Sequence, residues 1–363
     1  MDPVISMRVV IVGAGPAGLI TALNLLQRGI SPLVLEKGSE VKSTVCSEGC
    51  SHQSLSQIPF NSEPYISRVL KGAKLVFPDG TVDFVAKECA VLDRTDWLRG
   101  MAEEIRLKGG EIRLSSEVVV IDQHSLGLKN GEGIGYHVLI GADGPDSRIA
   151  RHLGIKHRLV VASQYQLALD TSNMDYIEFY FDKKFGSGYP WIFPKVGVAN
   201  VGVEGDFALL DAFLKYRGLD KQLIVKKESG LIPGSGIGKL VQQNIALIGD
   251  AASMPNPTSL GGLTPIICAS QILARHINNL TAYEVEVKNH PMANPILLKP
   301  RQTLMSFSNQ DLANVGKFLA EFKHGEAPYP QLMKIAKYPS LLLKLNKLRT
   351  IYQAGRITED YGW

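Results

Sequence analysis

Ten residues near the start of the chain, Val9-Val10-Ile11-Val12-Gly13-Ala14-Gly15-Pro16-Ala17-Gly18, limit most sharply what it can become. Four β-branched residues in a row predict a strand buried on both faces. A glycine turn then opens the helical pattern Leu19-Ile20-Thr21-Ala22-Leu23-Asn24-Leu25-Leu26. Glycines 13, 15 and 18 fit the G-x-G-x-x-G spacing, in which each position has its own physical task. Gly13 makes the tight turn, Gly15 admits a pyrophosphate to the backbone, and Gly18 lets helix and strand pack closely. Phosphates would rest on free N–H groups at the helix N-terminus. A second apolar run, Pro32-Leu33-Val34-Leu35, ends at Glu36, whose carboxylate could accept hydrogen bonds from a ribose. The same carboxylate repels a 2′-phosphate, which argues against NADP in this half and leaves FAD and NAD equal.

The length of 363 residues predicts two or three domains with a sizeable core. A hydrophobic fraction of 45% and a charged fraction of 20% are those of a globular chain. The net charge of +4 is mild and Lys and Arg are dispersed, so no nucleic-acid footprint is expected. A basic face for anionic lipid or an acidic protein stays open. Too few residues precede the first strand for a signal peptide, and no run of about 20 apolar residues appears. The expectation is a cytoplasmic chain that can touch a membrane surface without spanning it. Cysteines 46, 50, 89 and 268 do not suggest a disulfide framework at this length. Cys46-x-x-x-Cys50 lacks a second Cys/His pair, so no metal site is expected.

The polar loop 37–51 carries Val45-Cys46-Ser47-Glu48-Gly49-Cys50, which suits a loop beside a cofactor as well as an inert thiol. Residues 73–86 predict a hairpin around Pro78-Asp79-Gly80. Asp93-Arg94 leads into an amphipathic helix through Lys108, closed by Gly109-Gly110. A strand is expected over 111–121 and another over 136–140, with His137 packed inside it, ending at Gly141-Ala142-Asp143-Gly144. From about 159 the period changes to two, with strands at 164–170, 176–181, 188–193 and 197–203 and a helix at 207–216. The aromatic strand Tyr189-Pro190-Trp191-Ile192-Phe193-Pro194 reads either as core or as the wall of a ligand cavity. Residues 230–241 read as loop; Gly234, Gly236 and Gly238 follow no strand and open no helix, which excludes a second dinucleotide site there. A last strand, 243–248, runs into Gly249-Asp250-Ala251-Ala252, then Pro257, Gly261-Gly262 and a helix over 264–278. That turn can meet a cofactor with its N–H groups. The remainder is helical in pattern, and 338–352 mixes leucines with basic residues, as a packed surface helix or a membrane-contacting one does.

Together these pieces resemble the FAD-dependent oxidoreductases related to p-hydroxybenzoate hydroxylase, over residues 9–275. Within that superfamily the chain is most similar to the archaeal geranylgeranyl reductases, which saturate isoprenoid chains of lipids or their precursors. Cys46-Ser47-Glu48-Gly49 resembles their flavin-side loop, and Tyr189-x-Trp191-x-Phe193-Pro194, followed by Asn200-Val201-Gly202, resembles their prenyl-cavity strand. The implied fold class is α/β (α+β overall): a Rossmann-like FAD-binding domain, an inserted, mainly antiparallel β-sheet substrate domain and a helical C-terminal region. The expected boundaries are 1–72, 88–158 and 242–275 for the first, 73–87 and 159–241 for the second, and 276–363 for the third.

The resemblance implies FAD contacts at Gly13, Gly15, Ala17, Gly18, Glu36, Cys46, Ser47, Gly49, Arg94, Val118, Asp250, Gly262 and Leu263. It places Tyr189, Trp191 and Phe193 along the substrate cavity and makes Cys46 the candidate catalytic residue. The implied partners are an isoprenoid lipid or prenyl diphosphate and an electron donor, whether ferredoxin, a reduced quinone or NAD(P)H. Two departures stand out. Leu260-Gly261-Gly262-Leu263 replaces the usual Gly-Gly-Gly-Ile, so that a leucine could narrow the space above the flavin, and the C-terminal region looks short. The alternatives are an aromatic-ring or quinone monooxygenase using NAD(P)H and oxygen on the same frame, and a flavin-bearing protein without turnover.

Overall fold

The structure, a computed structural model, describes residues 7–186, 188–321 and 333–360. Parts of the expected C-terminal helical region, 322–332 and 361–363, lie outside the described residues.

A mainly parallel six-stranded sheet is built around β1 (Val9–Val12), every residue of which is buried. β2 (Leu33–Leu35) and β12 (Val138–Gly141) flank it in parallel. β8 (Glu111–Arg113) extends the sheet beyond β2, and β19 (Ile245–Leu247) beyond β12, with β18 (Val241–Gln242) antiparallel at the edge. Burial on both faces is why β1 reads as an unbroken apolar run rather than an alternating one. α1 (Pro16–Leu26) starts with proline at its first turn, where a missing N–H costs nothing. Nine of its eleven residues are buried, so its stability comes from packing rather than from helix propensity. It packs against α2 (Arg94–Leu107) and α4 (Leu263–Arg275), and Asn24 Nδ2 donates to Ser270 Oγ at 3.0 Å in the second of these contacts.

The second large sheet has seven strands in the order β17-β13-β16-β15-β14-β5-β6. They are β17 (Ile224–Pro233), β13 (Leu159–Ala168), β16 (Val198–Glu204), β15 (Trp191–Pro194), β14 (Tyr176–Tyr180), β5 (Gly72–Val76) and β6 (Val82–Val85). All neighbours are antiparallel except β14 and β5. The expected hairpin at 73–86 therefore forms, and it joins this sheet. α3 (Phe207–Arg217) covers one face, burying Leu210, Phe213 and Leu214 against Tyr165, Tyr180 and Val201. Two three-stranded sheets complete the strands: β3 (Gly49–Ser51), β7 (Cys89–Leu92) and β4 (Ile66–Leu70), and β11 (Gly133–Gly135), β10 (Ser125–Leu128) and β9 (Val118–Ile121). After α4 come α5 (Leu280–Asn289), α6 (Lys299–Met305), α7 (Asn309–Glu321) and α8 (Leu345–Asp360). Phe307, Leu312, Phe318 and Leu341 from this region close over Phe77 at the hairpin.

Four local expectations are corrected. The strand over 111–121 breaks into β8 and β9, which belong to different sheets, because Ser115 turns at a φ of 52°. Residues 230–233 are not loop but the end of β17, which pairs with β13 along its length. The buried strand expected over 243–248 forms only as β19, because Gln243, at a φ of 53°, turns the chain there between β18 and β19. His137 is exposed rather than packed, and its Nδ1 accepts the Arg8 N–H at 2.8 Å. Among the described residues no helix is long and apolar enough to cross a membrane, and no His/Cys/Asp/Glu group is placed to hold a metal. All four cysteines are free.

Candidate cofactor and active site

The glycine turn is built for close approach. A Cβ on Gly13, at a φ of 107°, would meet the Ala142 carbonyl oxygen at 2.3 Å, and one on Gly18 would meet the Gly13 carbonyl oxygen at 1.9 Å. Gly13 therefore locks this turn to the Gly141-Ala142-Asp143-Gly144 segment, and Gly18 locks α1 to the turn. Gly15 differs: a Cβ there would meet nothing within 4 Å. A methyl-free backbone facing open space at the start of a helix is what a pyrophosphate requires. Asp143 has a structural task, accepting the Arg148 N–H at 2.7 Å to cap the short helical turn Arg148–His152. Glu36 ends β2 with Oε2 accepting the Ala14 N–H at 2.9 Å and Oε1 the Gly38 N–H at 2.8 Å. Its carboxylate is thus fixed beside the glycine turn with lone pairs to spare. Val118 is buried at the start of β9, two residues after Ser116, whose N–H bonds the Glu36 carbonyl at 2.8 Å.

Asp250 lies in the helical turn Gly249–Ala252, directly after β19. No described residue hydrogen-bonds its carboxyl, and burial pushes its pKa up to about 6, against the opposing pull of Arg94. Arg94, the first residue of α2, has a buried Nε with no hydrogen-bond partner. Gly262 and Leu263 start α4, and Asp250 Oδ1 lies 3.8 Å from where a Gly262 Cβ would be. Ala17 faces this turn from α1: a Cβ on Gly249 would come within 2.6 Å of its own. An orphaned guanidinium nitrogen, an unbonded carboxyl and a bare glycine backbone are incomplete polar partners gathered at one place. They fit the hydroxyls and phosphates of an extended dinucleotide. Leu260 adopts a φ of 58°, the left-handed conformation that glycine takes without strain, so the departure from the Gly-Gly-Gly turn is tolerated by the backbone at a cost.

The Cys46 loop lies over the seven-stranded sheet and is tied to it by side chains. Gln164 Nε2 donates to the Cys46 carbonyl at 2.8 Å, and Asn200 Nδ2 donates to the Ser47 carbonyl at 3.2 Å and to Glu48 Oε2 at 3.0 Å. The Glu48 N–H donates to Cys46 Sγ at 3.2 Å, fixing the half-buried thiol. Cys50 and Cys89 are fully buried, and burial pushes both thiols up, Cys89 to about 12, so neither serves as an acid or nucleophile near neutrality.

The aromatic strand divides. Tyr189 packs edge-on to Phe179 at 5.3 Å, donates its hydroxyl to the Ser259 carbonyl at 2.6 Å and lines a small cavity with Phe181, Thr258, Arg301 and Leu304. It thereby joins the sheet to the Leu260 turn. Burial pushes its phenol up, so it stays protonated. Trp191 is half-buried, lies against Gly202 and donates Nε1–H to Gln164 Oε1 at 3.2 Å. Phe193 is 6% exposed and packs on the Gly49 backbone and Phe179, so it belongs to the core beneath the Cys46 loop. The structure thus gathers Gly13, Gly15, Ala17, Gly18 and Glu36 around one turn and Arg94, Asp250, Gly262 and Leu263 around the other. Sequence reasoning missed Lys195, whose ammonium lies 2.6 Å from Glu48 Oε2. Its only signal was a lysine directly after the apolar run Trp191-Ile192-Phe193-Pro194.

Comparison with known proteins adds independent findings. Residues 6–59 match the FAD binding domain family. The chain is 31% identical to the digeranylgeranylglycerophospholipid reductase of Methanosarcina mazei, over 73% of each chain. It is 26% identical to digeranylgeranylglycerophospholipid reductase 2 of Methanococcoides burtonii, over 93% of each. Its fold superposes on a geranylgeranyl bacteriochlorophyll reductase-like protein from Thermoplasma acidophilum with a TM-score of 0.78 and 23% identity, over 94% of this chain and 98% of that one. A probable FAD-dependent monooxygenase from Pseudomonas aeruginosa superposes less closely, with a TM-score of 0.68 and 16% identity, over 86% of this chain and 99% of that one.

Proposed function

Because the chain belongs to the digeranylgeranylglycerophospholipid reductase family, we propose that it binds FAD between the Gly13–Gly18 turn and Asp250 and saturates the C=C bonds of geranylgeranyl chains on lipids or lipid precursors. The observation that carries this reading is the joint placement of unsatisfied FAD-type partners, Arg94 Nε and the Asp250 carboxyl, on the same frame as the Cys46 loop and the aromatic strand. The proposed division of labour follows the frame. The six-stranded sheet carries the FAD site, the seven-stranded sheet faces the substrate, and the C-terminal helices close the cavity.

Reduced FAD, when bound, supplies the hydride. The protein's task is set by the substrate: an isolated trisubstituted alkene has no carbonyl to drain charge, so positive charge gathers on the more substituted carbon. Tyr189, which lines the cavity, and Trp191, half-buried on the adjoining strand, would offer aromatic faces to that charge, where cation–π attraction in a dry site is of order 1–2 kcal/mol. Tyr189 also ties the Leu260 turn to this wall through its bond to the Ser259 carbonyl, and exclusion of water from the site would strengthen the attraction. Cys46 holds the second proton, its sulfur oriented by the Glu48 N–H. Reloading requires an electron donor; ferredoxin, a reduced quinone and NAD(P)H each meet the chemistry, and supplying them singly to the oxidised enzyme identifies which is used.

The lipid substrate implies contact with a membrane surface, and one face suits it. Leu342 and Leu343, just before α8, and Leu345, its first residue, are 40%, 91% and 46% exposed, in a stretch that also holds Lys344, Lys347 and Arg349. Co-sedimentation with anionic vesicles, abolished by Leu343→Asp, is the expected result.

The functional test is anaerobic incubation of the reduced holoenzyme with a geranylgeranyl lipid or diphosphate. The product should gain the mass of two hydrogens per double bond. A gain of one oxygen in air with consumption of NAD(P)H would instead establish the monooxygenase reading, and no gain with any prenyl substrate would refute the reductase.

A further inference from the structure

We infer that Lys195 is a positioning residue that welds the Cys46 loop to the start of α2, holding the two sides of the FAD site at a fixed spacing. The inference rests on the FAD reading of the site. Lys195 follows β15, and its side chain is 6% exposed. Its ammonium lies 2.6 Å from Glu48 Oε2 and 2.9 Å from Asp93 Oδ1. Burial alone would lower the lysine's pKa, but Glu48 and Asp93 reverse this and raise it, so the charge is held.

The two carboxylates belong to different parts of the site. Glu48 sits in the Cys46 loop with a φ of 69°, a left-handed conformation unfavourable for a residue with a side chain. Something must hold it there. Its carbonyl accepts the Leu92 N–H at 3.0 Å, and its carboxylate accepts from Asn200 and Lys195. Asp93 is the residue before α2, and its side chain does not cap that helix but reaches Lys195 instead. Arg94, next in sequence, has a buried Nε without a hydrogen-bond partner, and its charge opposes the rise in the Asp250 pKa. One ammonium therefore links the loop that orients the Cys46 thiol to the helix start that orients the Arg94 guanidinium. A buried charge shared by two carboxylates has discrete geometry, whereas an apolar contact would let the loop slide. Nothing in the local sequence demands the link, since 147 residues separate Lys195 from Glu48.

The test compares Lys195→Met, Lys195→Arg and Asp93→Asn in the full chain, loaded with FAD and stripped of it. FAD affinity, the visible flavin spectrum, the alkylation rate of Cys46 by iodoacetamide read by mass spectrometry, and the separate kcat and KM values are measured. Lys195→Met is expected to weaken FAD by at least about tenfold, as losses of supporting partners do. It should change the flavin band and speed alkylation of Cys46. It should also lower kcat by as much as about 10²-fold, the scale of a misplacement of about 1 Å. Lys195→Arg, which can reach both carboxylates, should restore part of each. Asp93→Asn keeps Glu48 paired and should move every readout the same way by less, and it serves if Lys195→Met fails to fold. Unchanged FAD affinity, spectrum and Cys46 labelling in folded Lys195→Met or in Asp93→Asn would overturn the inference, as would a lowered melting temperature with all other readouts intact. Affinity, spectrum and labelling need no prenyl substrate, so failure of the reductase reading would be seen separately.

Discussion

Asp250→Asn should make the FAD-free protein more stable while destroying its use. The carboxyl's displacement from 3.8 to about 6 arises from burial, only partly offset by Arg94. Ionising it in the folded chain therefore costs about 3 kcal/mol more than in the unfolded chain. The sign follows from the direction. The folded state prefers the protonated acid, so above about pH 6 the wild-type apoprotein carries the whole penalty. The penalty fades as the pH falls from 6 toward 4, where the unfolded chain also takes up the proton. Removing the carboxylate lifts the penalty, giving a gain of up to about 3 kcal/mol at pH 7.5, less whatever the introduced amide costs to house. Urea denaturation of both FAD-free proteins between pH 4 and 8 measures the difference. Using the difference cancels carboxyls such as Glu40 and Asp182, whose pKa values are lowered, and the histidines His52 and His290. With FAD added, the order should invert, because wild type gains binding stabilisation and the variant does not. An Asp250→Asn apoprotein no more stable than wild type at pH 7.5, or a difference independent of pH, would refute the reasoning.

Three further outcomes are expected. Gly15→Ala should leave apoprotein melting unchanged, since the methyl meets open space, yet exclude FAD; Gly18→Ala, whose methyl would press on the Gly13 carbonyl, should destabilise the apoprotein by about 1–3 kcal/mol as well. Calorimetry and flavin titration separate the two. Tyr189→Phe loses its bond to the Ser259 carbonyl and should cost about 1 kcal/mol in stability, with kcat reduced more than FAD affinity. Leu260→Gly relieves a left-handed φ and should melt no lower than wild type, whereas a clear drop would show that the leucine packs productively.

What the chain declared in advance was local. The first strand, turn and helix were legible because each glycine answers a constraint within a few residues: Gly18 must clear Gly13, and Pro16 suits a first helical turn. Gly249-Asp250 and the turn after it were legible for the same reason. What stayed hidden was tertiary. The break at Ser115 exists because its N–H bonds Gly38 and the Ser116 N–H bonds Glu36, partners that no window around 111–121 contains. Residues 230–233 were misread as loop because they end β17, a polar, exposed edge strand at Lys226-Lys227-Glu228-Ser229 that, among the described residues, pairs with β13 alone. Phe193 could be core or cavity wall by pattern alone, and the bare backbone of Gly49 decided for core. Lys195 could not be seen beside Glu48 and Asp93 until three separate elements had come together.

The most direct measurement of the central claim is a single turnover without oxygen. The holoenzyme is reduced, mixed with a digeranylgeranyl lipid and followed at the flavin's visible band. The account predicts that oxidised flavin returns with one hydrogen pair gained by a prenyl chain for each flavin reoxidised. A flavin that stays reduced in the presence of the lipid, and reoxidises only when oxygen is admitted, would contradict it.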